Sequence, residues 1–246
     1  MTELSLDIKE LPANTRAAFR ELMPLLARLA GDGLLELSAF GGWLVDDPLY
    51  RGTPARSVAV LRRFDLHMLD QLAREGVRLG KLGLRAPLMM TPQYIAASCD
   101  TFPLELLEIR HQHVLLCGED HFAGLEFRHA DVRLQCEREL KSELLHLRQG
   151  LLAAAGKYKH LGELCRHEAE RATRVLRGVL YLAGRELPPL SADLAGQSAD
   201  VTGLKLAGLA GVVADARHVD FAAFERFYAD LATLAEYVDK LDAPAG

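Results

Sequence analysis

The stretch Leu34-Leu35-Glu36-Leu37-Ser38-Ala39-Phe40-Gly41-Gly42-Trp43 decides the fold. A short, mostly apolar run that ends on paired glycines reads as a strand feeding a tight turn. Before it, Ala18, Phe19, Leu22, Leu25, Leu26 and Leu29 recur at helical spacing after Pro12, so a helix precedes the strand and Gly31 and Gly33 stop it. After it, a loop holding Pro48, Gly52 and Pro54 leads to a second strand, Ser57-Val58-Ala59-Val60-Leu61. Residues 66–80 predict a helix and residues 86–90 a short strand. Thr91-Pro92 reads as an N-cap with proline at the first helical position, so a short helix follows. Residues 104–116 are apolar-rich, end at Gly118, and predict a longer strand.

Beyond about residue 130 the pattern becomes helical. Helices are predicted over 130–155 and 159–183, the second closed by Gly184 and Pro188-Pro189. A loop of small residues is predicted over 191–198, then helices over 200–214 and 220–241. The last carries an apolar stripe of Phe224, Phe227, Tyr228, Leu231, Leu234, Ala235, Val238 and Leu241. The fold class is therefore α+β: a small mixed sheet domain over 1–125, followed by a helical bundle over 126–246.

The composition agrees with a folded globular protein. The 246 residues are 50% hydrophobic and 26% charged, which argues against disorder and against a small disulfide scaffold. A net charge of −5 gives no basic field for nucleic acid. No apolar run is long enough to span a membrane. The start, MTELSLDIKE, lacks a charged-then-apolar leader pattern. Cys99, Cys117, Cys136 and Cys165 form no CxxC pair, so reduced thiols and a cytoplasmic location are expected.

The strand ending in Phe40-Gly41-Gly42, the loop and second strand, then Phe102-Pro103-Leu104-Glu105-Leu106-Leu107-Glu108-Ile109 and Gly118-Glu119-Asp120 carry a resemblance. So does Leu134-Gln135-Cys136-Glu137-Arg138-Glu139-Leu140-Lys141, continuing to Leu147-Arg148-Gln149-Gly150. In this order, over residues 34–155, they resemble bacterial nucleotidyltransferase-like proteins of the DNA polymerase β superfamily. The resemblance implies a glycine turn that admits nucleotide phosphates to backbone N–H groups. It also implies an Asp-x-Asp pair on the second strand and a third carboxylate on a later strand, together holding Mg²⁺.

The chain departs from that pattern. Gly42 stands where serine is expected, and Arg56 to Leu61 contains no carboxylate. Asp46, Asp47 and Asp65 lie outside the strand without the required spacing. Glu105 and Glu108 point to opposite faces of a regular strand, and either matches the third carboxylate. The expectation is a degenerate member without catalytic residues, metal or cofactor. It would act as a nucleotide- or anion-binding or protein-interaction module. The alternative is an active nucleotidyltransferase that modifies a small molecule or protein, with Mg²⁺ on unorthodox ligands such as Asp46 and Asp47.

The candidate ligand-binding residues are Gly41, Gly42, Trp43, Arg138, Lys141, Arg148 and Glu168. Gly41-Gly42 reads as a remnant phosphate turn or simply a tight turn. Trp43 reads as a base-stacking ring or the lid of a core. Arg138, Lys141 and Arg148 share one helical face with Leu134, Leu145 and Leu152 and offer anion donors or solvated heads on buried stems. Glu168 sits on the apolar stripe of Leu161, Cys165, Ala172, Leu176 and Val179, where a carboxylate needs a partner; those three basic residues are the expected source. A catalytic base is the sharper reading of Glu168. His111, His113, Cys117 and His121 cluster around a strand end without a standard zinc spacing. Expected partners are a nucleotide or other small anion, and a protein partner or second copy through the C-terminal helices if their stripe is exposed. Neither membrane nor nucleic acid is expected.

Overall fold

The computed structural model describes residues 7–241. The helix α1 (Arg16–Ala30) leads into strand β1 (Leu34–Phe40), which pairs antiparallel with β2 (Ser57–Leu61). Then come α2 (Leu66–Arg74), α3 (Gly76–Lys81), strand β3 (Leu88–Met90), α4 (Pro92–Ala97), α5 (Pro103–His111) and strand β4 (His113–Gly118). The four strands form one sheet in the order β3-β2-β1-β4, with β3 parallel to β2 and the other pairs antiparallel. The helices α6 (His129–Ala154), α7 (Leu161–Leu182), α8 (Ser191–Thr202), α9 (Ala207–Ala214) and α10 (Phe221–Asp239) follow.

The chain divides into two compact units. One comprises Met1–Asp46, Gly52–Cys99 and Glu108–Leu125; the other comprises Asp47–Arg51, Asp100–Leu107 and Glu126–Gly246. In the first, every residue of β2 is buried, as is β1 apart from Leu35, so the central strands have core on both faces. In the second, α6 and α7 pack antiparallel. A Cβ on Gly150, late in α6, would sit 2.3 Å from Leu164 Cδ2, early in α7; one on Gly178, late in α7, would sit 2.5 Å from Cys136 Sγ, early in α6. Glycine at both places lets the helix axes approach closely.

Several predicted elements are found: α1, β1, β2, α4 with its Thr91 cap, α6, α7 and α10. Others are corrected. Residues 104–116 are not one strand but helix α5 followed by β4. Leu104, Leu106, Leu107 and Ile109 are all buried, so apolar residues surround α5 and hide its period, while Pro103 starts it and Leu and Glu favour it. The predicted loop at 191–198 is helix α8. Ser191, Leu194, Ala195 and Ser198 bury a face of small residues at helical spacing, and Asp47 Oδ2 accepts the Ser191 N–H at 2.7 Å, serving its amino end from a distant loop. Gly203, with φ 70°, ends α8, so 200–214 is not one helix. The predicted helix over 66–80 breaks at Glu75 into α2 and α3, and the predicted 86–90 strand is confined to Leu88–Met90.

The apolar stripe on α10 is buried at Phe224, Phe227, Leu231, Leu234, Ala235 and Val238, so it is core of the second unit and not an exposed face for a second copy. All four cysteines are free thiols. Cys99 is half-buried, and Cys117, Cys136 and Cys165 are buried. No helix among the described residues is long and apolar enough to cross a membrane.

Candidate functional site

The turn after β1 is built by Gly41, which takes φ 100° and ψ 176°, a conformation that excludes an ordinary side chain. Its N–H donates to Gln112 O at 2.9 Å, and a 3₁₀ turn, Gly42–Leu44, follows. The sheet register sets Ser57 opposite Ala39 and Ala59 opposite Leu37. Ser57 and Ala59 alternate along β2 and therefore share one of its faces. They are 1% and 0% exposed, and Ser57 Oγ has no hydrogen-bond partner among the described residues.

An ion pair lies against this turn. A Cβ at Gly41 would sit 3.2 Å from Arg56 Nη1 and 3.6 Å from Glu108 Oε1. Arg56 Nη1 donates to Glu108 Oε1 at 3.0 Å and Nη2 to Oε2 at 3.2 Å, a bidentate pairing. The guanidinium also lies over the Phe40 ring, 4.4 Å from its centroid. The Arg56 side chain keeps 24% of its surface in solvent while Glu108 keeps 1%. The structure thus places Glu108, not Glu105, beside the glycine turn. Glu105 belongs with Gln135 and Arg174 to the second unit, where it accepts from Gln135 Nε2 at 2.6 Å and Arg174 Nη1 at 3.1 Å.

The remaining carboxylates raised by the sequence serve elsewhere. Asp47 is buried and accepts from Leu49 N and Ser191 N. Asp65 caps α2 by accepting from His67 N at 2.9 Å. Asp46 is exposed in the loop. Among the described residues, no three His, Cys, Asp or Glu side chains are grouped so as to hold a metal ion. His113 instead meets Asp120 Oδ2 at 3.0 Å, and His121 meets Glu36 Oε2 at 3.0 Å through Nδ1. Glu36 is fully buried on β1 and also accepts from Ser38 Oγ and from the His121 N–H, three donors that compensate its burial. Burial pushes the Cys117 thiol up.

The seven candidate residues fall into two groups, one per unit. Gly41, Gly42 and Trp43 are in the first. Trp43 is a core lid: it is 9% exposed, stacks on Phe19 with centroids 6.0 Å apart, and donates Nε1–H to Phe40 O at 2.8 Å. Trp43→Phe is expected to lose about 1 kcal/mol, the net worth of that bond, read by urea denaturation followed by circular dichroism.

Arg138, Lys141, Arg148 and Glu168 are in the second unit. Arg138 is exposed. Lys141 pairs with Glu137 and, at 3.4 Å, with Asp239; Arg148 Nε donates to Tyr228 OH at 2.6 Å. Glu168 is 2% exposed on the α6–α7 face, as its position on the stripe requires, but its partners are not those three basic residues. They are Arg171 at 3.3 Å and His146 at 3.6 Å. Arg171 lies three residues along the same helix, a pairing legible in the sequence. It also holds Glu139 at 2.9 Å.

Glu143, between Leu140 and Leu147 on α6, is fully buried, and neither of its oxygens has a hydrogen-bond partner among the described residues. Burial drives its pKa well above the carboxylate range. The nearby Glu168 and Glu139 add to the rise, and Arg171 and Arg174 oppose it.

No protein-family model matches the chain, and no curated protein matches it. Among solved structures it is similar to spectinomycin adenyltransferase AAD(9) from Enterococcus faecialis with ATP and spectinomycin. The TM-score is 0.59 at 10% identity, covering 91% of this chain and 99% of that one. With its four-stranded mixed sheet and helical C-terminal region, the chain has a nucleotidyltransferase-like fold.

Proposed function

We propose that this nucleotidyltransferase-fold protein does not transfer nucleotides. It binds a nucleotide, or another small anion of the same phosphate chemistry, at the Gly41 turn without a metal ion. The observation that carries this reading is the substitution of charge at that turn. Where the resemblance requires carboxylates for Mg²⁺, β2 offers Ser57 and Ala59, and a guanidinium, Arg56, lies against Gly41. A hydroxyl and a methyl group supply no anionic ligands for a hard cation. A guanidinium attracts phosphate directly, and its five N–H donors exceed the two that Glu108 uses. The similar adenyltransferase carries ATP and a small molecule, which supports a nucleotide as ligand here. Glu108 holds Arg56 in place beside the turn, so the free guanidinium donors, not the turn's own N–H groups, would meet the ligand.

Thermal denaturation with ATP, CTP, GTP or UTP, each with Mg²⁺ and with EDTA, tests this. One or more nucleotides should raise the midpoint equally in both conditions, since a ligand at 100 times its Kd adds about 2.7 kcal/mol. Arg56→Gln should abolish the shift. Stabilisation that requires Mg²⁺, or nucleotide transfer to an acceptor abolished by Asp46→Ala or Asp47→Ala, would favour an active transferase with unorthodox ligands and overturn the reading.

A further inference from the structure

The helical unit contains a cavity of about 410 Å³, within the range of small-molecule sites. Three segments wall it: the 3₁₀ turn Pro48–Tyr50 with Arg51, the first turn of α7, and the carboxyl end of α9 continuing to Arg217. All belong to the second compact unit. Leu49, Val212 and Val213 give it an apolar floor, and Ala214 lies exposed at its side. Around the rim stand three guanidinium groups, Arg51, Arg166 and Arg217, against two carboxylates, Glu163 and Asp215.

Of the two carboxylates, exposed Glu163 in the first turn of α7 opposes an anion, and Asp215 does not. Asp215 is already committed: Arg217 Nε and Nη2 reach its two oxygens at 2.9 and 3.1 Å, and the Arg217 N–H adds a third bond. Arg217 still has Nη1 and the second hydrogen of Nη2 to give. Arg166 gives Nη1 to Glu170, a residue outside the cavity, and keeps Nε and Nη2. The first turn of α7, whose N-cap His160 provides no side-chain bond, adds the positive end of a helix dipole to the same wall. The wall's geometry is fixed by Gly162. A Cβ there would lie 2.4 Å from Ala216 O, so only glycine lets α7 run against the 215–217 segment.

We infer that this cavity is a second ligand site, independent of the Gly41 turn, for a small organic oxyanion: a carboxylate or phosphate monoester carried on an apolar body. The apolar part rests on Leu49 and Val213, and the oxyanion takes the remaining donors of Arg166 and Arg217.

Calorimetric titration of the full chain with phenyl phosphate, benzoate, benzylamine and benzyl alcohol tests this. Phenyl phosphate or benzoate should bind, the tighter of the two naming the headgroup, and the amine and alcohol should not. Arg166→Ala and Arg217→Ala should each weaken binding about tenfold, the value of one charge-assisted hydrogen bond. Ala214→Trp, which fills the cavity without altering charge, should remove it, with circular dichroism confirming that each variant is folded. Failure of both anions to bind the wild-type chain overturns the inference. So does binding that survives all three changes, or binding lost instead in Arg56→Gln. None of these results touches the nucleotide experiment, which reads a different unit of the chain.

Discussion

Arg56→Ala is expected to cost about 3 kcal/mol of stability, measured as the shift in urea midpoint at constant slope. The cost comes from Glu108. That carboxylate is 1% exposed and receives two guanidinium N–H bonds, so deletion of the arginine leaves a buried charge without its bidentate partner. The value lies at the low end for a broken buried pair because 24% of the Arg56 side chain is in solvent and water can reach the gap. The double change Arg56→Ala with Glu108→Leu should recover most of the loss, since it removes the buried carboxylate together with its guanidinium. A single-variant loss below about 1 kcal/mol, the scale of a solvated pair, would show that Glu108 does not depend on Arg56. Anion binding would then need another explanation.

A second large effect is expected from Glu143. Its folded pKa is raised well above the ordinary value by burial, whereas in the unfolded chain it titrates normally. Between those two pKa values the folded state holds a proton that the unfolded state has released. Stability therefore falls as pH rises across that window, by about 1.4 kcal/mol per pH unit for one group. The contribution is fully favourable only below the unfolded pKa and levels off above the folded one. Glu143→Gln keeps the shape and neutrality of the protonated acid, so the stability of this variant minus that of wild type should climb with the same slope from about pH 5 upward. A difference independent of pH between 5 and 8 would mean that Glu143 is ionised in the folded protein.

The sequence displayed some of this architecture and concealed the rest for identifiable reasons. β1 and β2 were legible because turn residues bound each apolar run, and α10 because Phe224 to Val238 repeats at helical spacing. α5 was hidden because its buried Leu104, Leu106, Leu107 and Ile109 are spread around the helix, which blurs periodicity. α8 was hidden because Ser and Ala make a face that packs without being strongly apolar. Its amino-terminal partner, Asp47, lies 144 residues away. The Gly41 turn could be located from its glycines. Arg56 could not be assigned to it, because the partner that fixes it, Glu108, is 52 residues distant. Glu143 is legible by position alone: it stands three residues after Leu140 and four before Leu147, on the core face of α6.

The distribution of the cysteines has a practical consequence. Cys117 belongs to the sheet-containing unit, and Cys136 and Cys165 belong to the helical one. Burial pushes the Cys165 thiol up to about 12 and that of Cys136 higher still, so in the folded chain neither presents the thiolate that alkylating reagents attack. Each becomes reactive only when its surroundings open. Half-buried Cys99 supplies a fast internal reference. Pulsed alkylation followed by peptide mass spectrometry would therefore time the opening of each half of the molecule separately, in the unmodified protein and without engineered labels.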